Sequence, residues 1–427
     1  MTVPVASGAA GFLARYAGLA ARLPGDAAAR AAAAEAFRRL GLPGATAGRR
    51  EEAWKYTSLR ALAEAPFQAP LTTVATDADA PDRLARLAAA RLVFVDGRFH
   101  PDLSSRPAGS LAGASSFAAD PRFGPLARPE RDAMVALNTM LAEDGARITI
   151  PAGADGGVVQ LASLGSGAAD HAIAFHPRHA ITLGAGARLV LAETAQGSGT
   201  YLHNPVTEIT LGAGAELTHV RLQQEAPGAF HLATLYAELA ADARYAVFTL
   251  TAGAHLSRTE THVRLVGSGA WAVLDAAQLL AGSQHADITT VVHHGAPHGT
   301  SRQNVRSVLT GRARGVFQGR IEVARAAQRT DGYQMSRALL LSDQAEIDTK
   351  PELEIFADDV KCSHGATIGA LDPEQLFYLR SRGVAERTAR AMLVRAFLDE
   401  ALETVTQETA RAALEAAVDG WWEREAA

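Results

Sequence analysis

Cysteine is almost absent from this chain, which contains one cysteine in 427 residues. A single thiol excludes an internal disulfide framework and suits a reducing compartment, so we expect a cytoplasmic location. The first residues, MTVPVASGAAGFLARYAG, lack a charged segment followed by a long apolar run. No stretch of about 18 consecutive apolar residues occurs anywhere in the chain. We therefore expect neither a signal peptide nor a membrane-spanning helix.

Several motifs of well-known catalytic and binding sites are also missing. The chain has no G-x-x-x-x-G-K-[ST], and hence no P-loop for nucleotides, and it lacks G-x-S-x-G, H-E-x-x-H and C-x-x-C. Short G-x-G pieces such as GAGA lie between strand-like segments rather than before a helix, so they are weak evidence for a dinucleotide site. The net charge is −5 and no basic run is interleaved with aromatic residues, which argues against nucleic-acid binding.

The hydrophobic period divides the chain into three regions. Residues 1–145 are Ala-rich and mostly helical in pattern, with one hairpin signal at RLVFVDGRFHP (91–101), where Asp-Gly separates two apolar runs. Residues 146–371 form a succession of short strand-like segments separated by small turns. Residues 372–427 return to a helical period. We expect a mainly β core flanked by N-terminal and C-terminal α-helical regions.

An internal repeat indicates how the middle region folds. ITLGAGA occurs at 181–187 and again at 209–215, and the looser copies AELAADA (237–243) and VRLVGSGAW (263–271) follow at similar intervals. Each copy predicts strand, tight turn, strand, a unit that cannot cover its own apolar face and must stack on its neighbours. The regular offset favours a β-helix, and a β-sandwich is the alternative.

The C-terminal region begins with a well-marked helix. Asp372 is placed as its N-cap, Pro373 at its first position and Gly383 at its end. The next segment, AERTARAMLVRAFLDEAL (385–402), has an apolar face wider than one neighbouring element would cover, composed of Met392, Leu393, Val394, Ala396, Phe397, Leu398 and Leu402. Packing on the β core and binding of a partner protein are two readings of this face.

The one cysteine lies beside a histidine in DDVKCSHGATIGALD (358–372). In an extended strand, residues two apart point to the same side, so Asp358, Val360, Cys362 and His364 would face one way. Thiolate and imidazole are both metal ligands, but two ligands are too few for a closed site. Either this pair is inert, or a second chain supplies further ligands.

A second group of histidines lies in HADITTVVHHGAPHGTS (285–301). His294 and His298 are four residues apart, a spacing that would align them on a helix, but the segment is strand-like and a turn surrounds Pro297. A metal site here and a set of polar residues at a β edge are the two readings.

Four motifs occur in order within residues 311–384: AQRTDGYQ, KPELEI, DDVKCSHGAT and FYLRSRG. EEAWKYTSL near the N-terminus, ALNTMLAEDG before the first core strands and SRQNVRSVL before the last ones accompany them. With these motifs the chain closely resembles the SufB/SufD family of iron–sulfur cluster assembly scaffolds. The single cysteine resembles the SufD branch more than the SufB branch, whose members are usually longer and richer in cysteine.

The resemblance implies a fold and a set of partners. The core would be a right-handed parallel β-helix that pairs through its C-terminal edge with a SufB-like paralogue, or with a second copy of itself when alone. A SufC-like ABC ATPase would dock on the C-terminal helical domain and supply ATP hydrolysis, so the chain itself would be a non-catalytic scaffold. The iron–sulfur cluster would be transient and formed in the complex, with none tightly bound to the isolated chain.

The resemblance also implies candidate cluster ligands at the SufB interface. The family histidine corresponds to His364, which is preferred, and Cys362 corresponds to a neighbouring family cysteine. The sequence contains no flavin motif. Two alternatives stay open: a purely structural adaptor without a cluster ligand, and a carbohydrate-active β-helix enzyme that would use carboxylates such as Glu352, Glu354, Asp358 and Asp359.

Overall fold

The computed structural model of the protein describes residues 8–45, 51–70, 82–88, 90–105, 114–168 and 171–425. Helices lie at both ends of the chain and strands occupy the middle. The α-helices are α1 (Gly8–Leu19), α2 (Ala27–Leu40), α3 (Arg60–Glu64), α4 (Ala133–Leu141), α5 (Pro373–Ser381), α6 (Glu386–Leu402) and α7 (Glu408–Glu425), and Glu52–Trp54 and Pro101–Leu103 are 3-10 turns.

The strands belong to two sheets. They are β1 (Ala90–Val95), β2 (Arg98–Phe99), β3 (Ser115–Ser116), β4 (Ala146–Ile150), β5 (Asp155–Ser166), β6 (Ile173–Phe175), β7 (Arg178–Leu183), β8 (Arg188–Ser198), β9 (Tyr201–His203), β10 (Val206–Leu211), β11 (Glu216–Gln224), β12 (Phe230–Leu239), β13 (Arg244–Thr251), β14 (Leu256–Leu265), β15 (Trp271–Leu280), β16 (His285–His294), β17 (Thr300–Leu309), β18 (Arg314–Val323), β19 (Asp331–Leu340), β20 (Glu346–Ile355) and β21 (Lys361–Gly369).

The chain passes from one sheet to the other at each successive strand from β10 onward. Sheet I has the order β2-β1-β5-β8-β11-β13-β15-β17-β19-β21, and sheet II has the order β20-β18-β16-β14-β12-β10-β7-β4-β3, with β9 beside β12 and β6 beside β9. The ladders are parallel, apart from β1 with β2 and β3 with β4. This arrangement is a β-solenoid, the parallel β-helix that the repeats favoured over a sandwich.

The sequence repeat coincides with the stacking of the coils. Ile181 pairs with Ile209, and Ile209 pairs with Ala237, so the copies of ITLGAGA lie directly on one another. The turns require a left-handed backbone, with φ of 65° at Gly186 and 64° at Gly214, and Asp242 adopts 56° in the third copy. Glycine and, less readily, aspartate tolerate this conformation, which explains the small residues of the repeat.

The strands bury both faces. Inside the solenoid a large cluster of Leu, Ile, Val and Ala side chains joins the two sheets. Outside, the N-terminal helices cover sheet II, where Phe12 and Phe37 pack in one cluster with Phe230 and Leu232. Helices α6 and α7 cover sheet I on the opposite side through a second cluster. Burial on both faces accounts for the near-continuous apolar runs in several strands.

A segment near the N-terminus is held on sheet II by a buried arginine. The guanidinium of Arg258 lies under the ring of Trp54, 4.2 Å from its centroid, and contacts the carboxylates of Glu260 and Asp287. The hydroxyl of Thr57 donates to the Asp287 carboxylate at 2.5 Å. The motif EEAWKYTSL therefore contacts strands that lie about two hundred residues later in the sequence.

The apolar face of α6 divides between the two interpretations, since part of it packs on the β core and Met392 is 49% exposed. Asp372 caps α5 through a hydrogen bond from the Glu374 amide at 2.8 Å, as its position predicted. On α6, Val394, Leu398 and Leu402 are buried. The ring of Phe397 is partly buried and lies 4.9 Å from the Arg306 guanidinium, so it packs on the core as well.

Membrane crossing finds no support among these helices. Within the described residues, none of them combines the length and the apolarity that a span would require.

We predict that Arg258→Met lowers the free energy of unfolding by about 3–5 kcal/mol, because Glu260 and Asp287 are then buried without a cation. Arg264→Met on the same strand is the matched control, since Arg264 forms a half-exposed ion pair with Glu238. Its loss should cost less than about 1 kcal/mol. Urea unfolding followed by circular dichroism at pH 7 measures both variants, and equal losses would contradict the assignment.

Candidate functional site

The last coil of the solenoid is open. β20 and β21 each stand at the end of their sheet, with one neighbouring strand apiece in the described part of the chain. β21 is largely exposed along its nine residues, whereas β17, two strands inward, is largely buried. We call β20 and β21 the terminal coil. Its outer edge presents unpaired backbone N–H and C=O groups, the usual template for pairing with another strand.

Cys362 and His364 point to the same side of β21. Cys362 is the register partner of Gly332, and His364 is the register partner of Gln334. Gly332 and Gln334 are buried positions of β19 that alternate with half-exposed ones. Both side chains of the pair therefore occupy inward-facing positions of the terminal coil, as the spacing of two predicted. Asp358 and Val360 precede β21 and belong to the loop before it.

The cysteine is half-buried against apolar neighbours. It packs on a small cluster that includes Ile321 and Leu353. Burial raises the pKa of the Cys362 thiol, and the nearby Asp331 carboxylate raises it further. A hydrogen bond with the Gly332 backbone lowers the pKa and offsets part of this shift. Cys362 is therefore held as the neutral thiol more firmly than an exposed cysteine would be.

The histidine is exposed and has no hydrogen-bond or ion-pair partner within the described residues. Behind it in the ladder, Gln334 is fully buried, and its Oε1 has no partner in the same part of the chain. Its Nε2 donates to the Glu352 carbonyl at 3.3 Å, so the amide is oriented.

Sequence reasoning missed the apolar residues that surround this pair. Phe356, directly after β20, is 66% exposed, and Ile368 on β21 is 52% exposed. Ile355 is exposed as well. The sequence does contain an indication of this surface, because β20 and β21 continue the apolar alternation of the core strands. Within the described residues, no later strand covers them. Large apolar side chains grouped at one exposed edge are typical of an interaction surface.

The second histidine group does not come together as a metal site. His294 is fully buried, and its Nε2 hydrogen-bonds Ser301 Oγ at 2.9 Å. His298 is exposed in a turn with φ of 60°. Within the described residues, the histidine and carboxylate ligand atoms that do converge are those of His203, Glu225 and His231.

The carboxylates of the carbohydrate-enzyme alternative pair with different basic side chains. Glu352 lies 3.3 Å from Lys350, Glu354 lies 3.7 Å from Arg320, and Asp359 lies 3.7 Å from Arg329. Charges neutralised in this way are typical of a solvated edge rather than of an acid–base pair.

Comparison with protein families assigns the two parts of the chain. The model described as "SUF system FeS cluster assembly, SufBD core domain" matches residues 166–397, more than half of the chain. The chain belongs to the SufBD family. A second model of the family, "SufBD protein N-terminal region", matches residues 26–156. The resemblance read from the motifs is confirmed.

Individual members of the family are similar over about half to nearly nine-tenths of their length. "Iron-sulfur cluster assembly protein SufD" of Escherichia coli is 33% identical over 87% of both chains. "Iron-sulfur cluster assembly SufBD family protein slr0076" of Synechocystis is 32% identical over 84% of this chain and 83% of its own. "Protein ABCI7, chloroplastic" of Arabidopsis thaliana is 33% identical over 53% of this chain and 49% of its own.

We predict that the Cys362 thiol reacts slowly with iodoacetamide in the folded chain. Because its pKa is raised, the thiolate fraction at pH 7–8 is smaller than in the urea-unfolded chain, and the pH–rate profile should have its midpoint at higher pH. The single cysteine makes mass-spectrometric labelling specific, and Cys362→Ser is the blank. A folded-state midpoint at or below the unfolded one would contradict the prediction.

Proposed function

We propose that this chain is a scaffold subunit in iron–sulfur cluster assembly and that His364 supplies a ligand to the nascent cluster. The observation that carries the proposal is an exposed, unpartnered imidazole on the open edge of the solenoid, beside the chain's single cysteine. The names of its relatives, which call them iron–sulfur cluster assembly proteins, support the general role. The cluster is cargo formed in the complex, not a resident cofactor.

The terminal coil is the proposed junction with a SufB-like paralogue. Strand addition at an open edge satisfies the backbone groups of both partners, and the apolar side chains at the edge gain burial at the same time. Phe356 and Ile368 suit such a contact because they are large, apolar and more than half exposed. In the absence of the paralogue, the same edge could accept a second copy of this chain.

His364 is preferred to Cys362 as the ligand. Its imidazole is exposed, and imidazole nitrogen is a common ligand of iron. The thiol of Cys362 is half-buried and its pKa is raised, so iron would first have to displace its proton. A purely structural adaptor, in which neither residue binds the cluster, is the competing function.

The C-terminal helices carry the proposed docking surface for a SufC-like ABC ATPase. Phe377 on α5 is 74% exposed, and its neighbour Tyr378 is also exposed. Together with Leu393 of α6 they line an open cavity of about 950 Å³. Met392, which precedes Leu393 on α6, is exposed as well. We call Phe377, Tyr378, Met392 and Leu393 the α5–α6 surface.

In this division of labour the chain itself catalyses no reaction. The partner ATPase would hydrolyse ATP, and the conformational change of the ATPase would be transmitted through this chain to the terminal coil. Helix α5 follows β21 directly in the sequence and so connects the docking surface to that coil. The assembly would work in the cytoplasm.

We predict that His364→Ala folds normally, assembles with the cognate SufB-like and SufC-like proteins, and loses most cluster loading. The imidazole is exposed, so its removal leaves no cavity and should change the free energy of unfolding by less than about 0.5 kcal/mol. The complex is purified anaerobically, its subunits are counted by native mass spectrometry, and the cluster is measured by absorption and by iron and sulfide analysis.

Cys362→Ser is the matched control for this variant because it removes the soft ligand at nearly the same volume. If His364 is the ligand, the serine variant should retain most of the loading. Loss of loading in Cys362→Ser alone would assign the ligand to the thiol. Normal loading in both variants would favour the structural adaptor.

We predict that Phe377→Glu abolishes co-purification with the SufC-like ATPase without unfolding the chain. Phe377 is mostly exposed, so the new charge stays in water in the free protein but would be buried without a partner in the complex. Deletion of α6 and α7 is unsuitable, since their side chains cover sheet I.

Val266→Glu is the control for this second experiment. Val266 is an exposed apolar residue after β14, far along the chain from the helices, and its replacement should leave ATPase binding unchanged. Binding of the ATPase by Phe377→Glu at the wild-type level would refute the α5–α6 surface as the docking site.

A further inference from the structure

Two histidines and a glutamate meet inside the solenoid, remote from the terminal coil in the order of strands. His203 on β9 and His231 on β12 are register partners in neighbouring coils, so their side chains lie on the same side of sheet II. Their rings are 5.0 Å apart, centroid to centroid. Glu225 follows β11 at the corner where the chain turns from sheet I to sheet II. All three side chains are buried.

The ligand atoms of the three side chains converge. Nδ1 of His203 lies 2.9 Å from Glu225 Oε1, and Nδ1 of His231 lies 2.7 Å from Glu225 Oε2. The three ligand atoms lie within 4.8 Å of one another. A tetrahedral metal ion with bonds of about 2.0–2.1 Å separates its ligands by roughly 3.4 Å. Small side-chain rotations would therefore bring all three atoms to metal-binding distance.

The charge of Glu225 lacks a permanent partner. Four glutamates are buried in the described part of the chain, and three of them contact an arginine: Glu193 with Arg221, Glu208 with Arg178, and Glu260 with Arg258. Glu225 instead contacts the two imidazoles and the amide of Gln223, which donates at 3.0 Å. A buried carboxylate without a cation is unfavourable, and a bound divalent ion would supply the missing positive charge.

Hydrogen bonding alone leaves this cluster incomplete. Nδ1 of His231 is close to Glu225 but has no hydrogen bond of acceptable geometry within the described residues. Nε2 of His203 also lacks a hydrogen-bond partner there, although it is buried. Unsatisfied polar atoms around one point are unusual in a protein interior and indicate a ligand that completes the site.

The corner that carries Glu225 borders a cavity at the surface. Glu225 and the following residues Ala226 and Pro227 line a surface cavity of about 410 Å³. Glu225 is therefore shared between the lining of this cavity and the contacts with the two histidines.

We propose that His203, Glu225 and His231 bind a divalent first-row transition metal ion. Two imidazoles and one carboxylate are a ligand set for Zn²⁺ or Fe²⁺, with one or more positions left for a further ligand. The hydroxyl of Tyr201 is a candidate for such a position. This site is distinct from the terminal coil, and it does not depend on the proposed role of His364.

Metal titration tests the proposal in a chain whose terminal coil cannot bind metal. The full-length His364→Ala/Cys362→Ser double variant is stripped with a chelator, then titrated with Zn²⁺ by calorimetry and with Co²⁺ by visible absorption. We expect about one ion per chain and Co²⁺ bands of nitrogen and oxygen ligation. No binding by this folded protein would overturn the proposal.

Asparagine variants identify the ligands. In His203→Asn and His231→Asn the side-chain amide can still donate to Glu225 from near the position of Nδ1, but the imidazole is lost. Each should weaken Zn²⁺ binding by at least about 100-fold. His219→Gln is the matched control, since His219 is equally buried and bonds a carboxylate, Glu193, that has an arginine partner. It should bind Zn²⁺ as the parent does.

Unchanged affinity in both asparagine variants would also overturn the proposal. If those variants do not fold, X-ray absorption of the Zn²⁺-loaded parent decides, because two imidazoles per zinc are expected and a site with fewer would refute the assignment. Loss of cluster assembly in His364→Ala with intact Zn²⁺ binding would show that the two sites are separate.

Discussion

Each coil of this protein depends on the parallel backbone ladder to the coil before it. The ladder places Ile209 on Ile181 and Ala237 on Ile209, so one pairing register sets the side-chain contacts of the whole stack. A shift by one residue would turn every inward side chain outward. Stacking by itself does not limit the number of coils. The last coil of such a stack therefore has an outer edge whose backbone groups are not paired by a further coil. The feature that stabilises the core thus also creates the exposed edge.

The two ends of the stack are treated differently. At the N-terminal end, β3 and the β1–β2 hairpin pair antiparallel to the first strands or to one another, which ends the parallel ladder within the chain. At the C-terminal end, β20 and β21 carry exposed apolar side chains and the unpartnered His364. Edge strands of soluble proteins are normally protected by charges, prolines or a covering element. β20 has such protection in Lys350, Pro351 and Glu352, so the exposed apolar side chains at its end and on β21 are the part of the edge that these residues leave uncovered.

Sequence reasoning succeeded where the determining contacts are local or periodic. The ITLGAGA spacing predicted the stacked coils, and the spacing of two predicted that Cys362 and His364 share a side of β21. It could not predict contacts between distant segments, such as Trp54 over Arg258, because no period links them. The cluster of His203, Glu225 and His231 could not be predicted for the same reason. Its members lie on β9, at the corner after β11 and on β12. For Phe397, the sequence allowed either packing on the core or contact with a partner protein, and in the structure its ring packs on the core beside Arg306.

Burial separates the roles of the histidines in this chain. His219 is paired with Glu193 beside an arginine, so its surroundings are neutralised and it serves the packing of the interior. His203 and His231 share a carboxylate that contacts no arginine in the described part of the chain, and a metal ion would supply the missing positive charge. His364 is neither buried nor paired, so a ligand there needs no compensating charge from this chain and can be shared with a partner. Histidine therefore serves in packing, in a proposed internal metal site and as a proposed cluster ligand. Which of these roles a given histidine has depends on its exposure to solvent and on the charged groups around it.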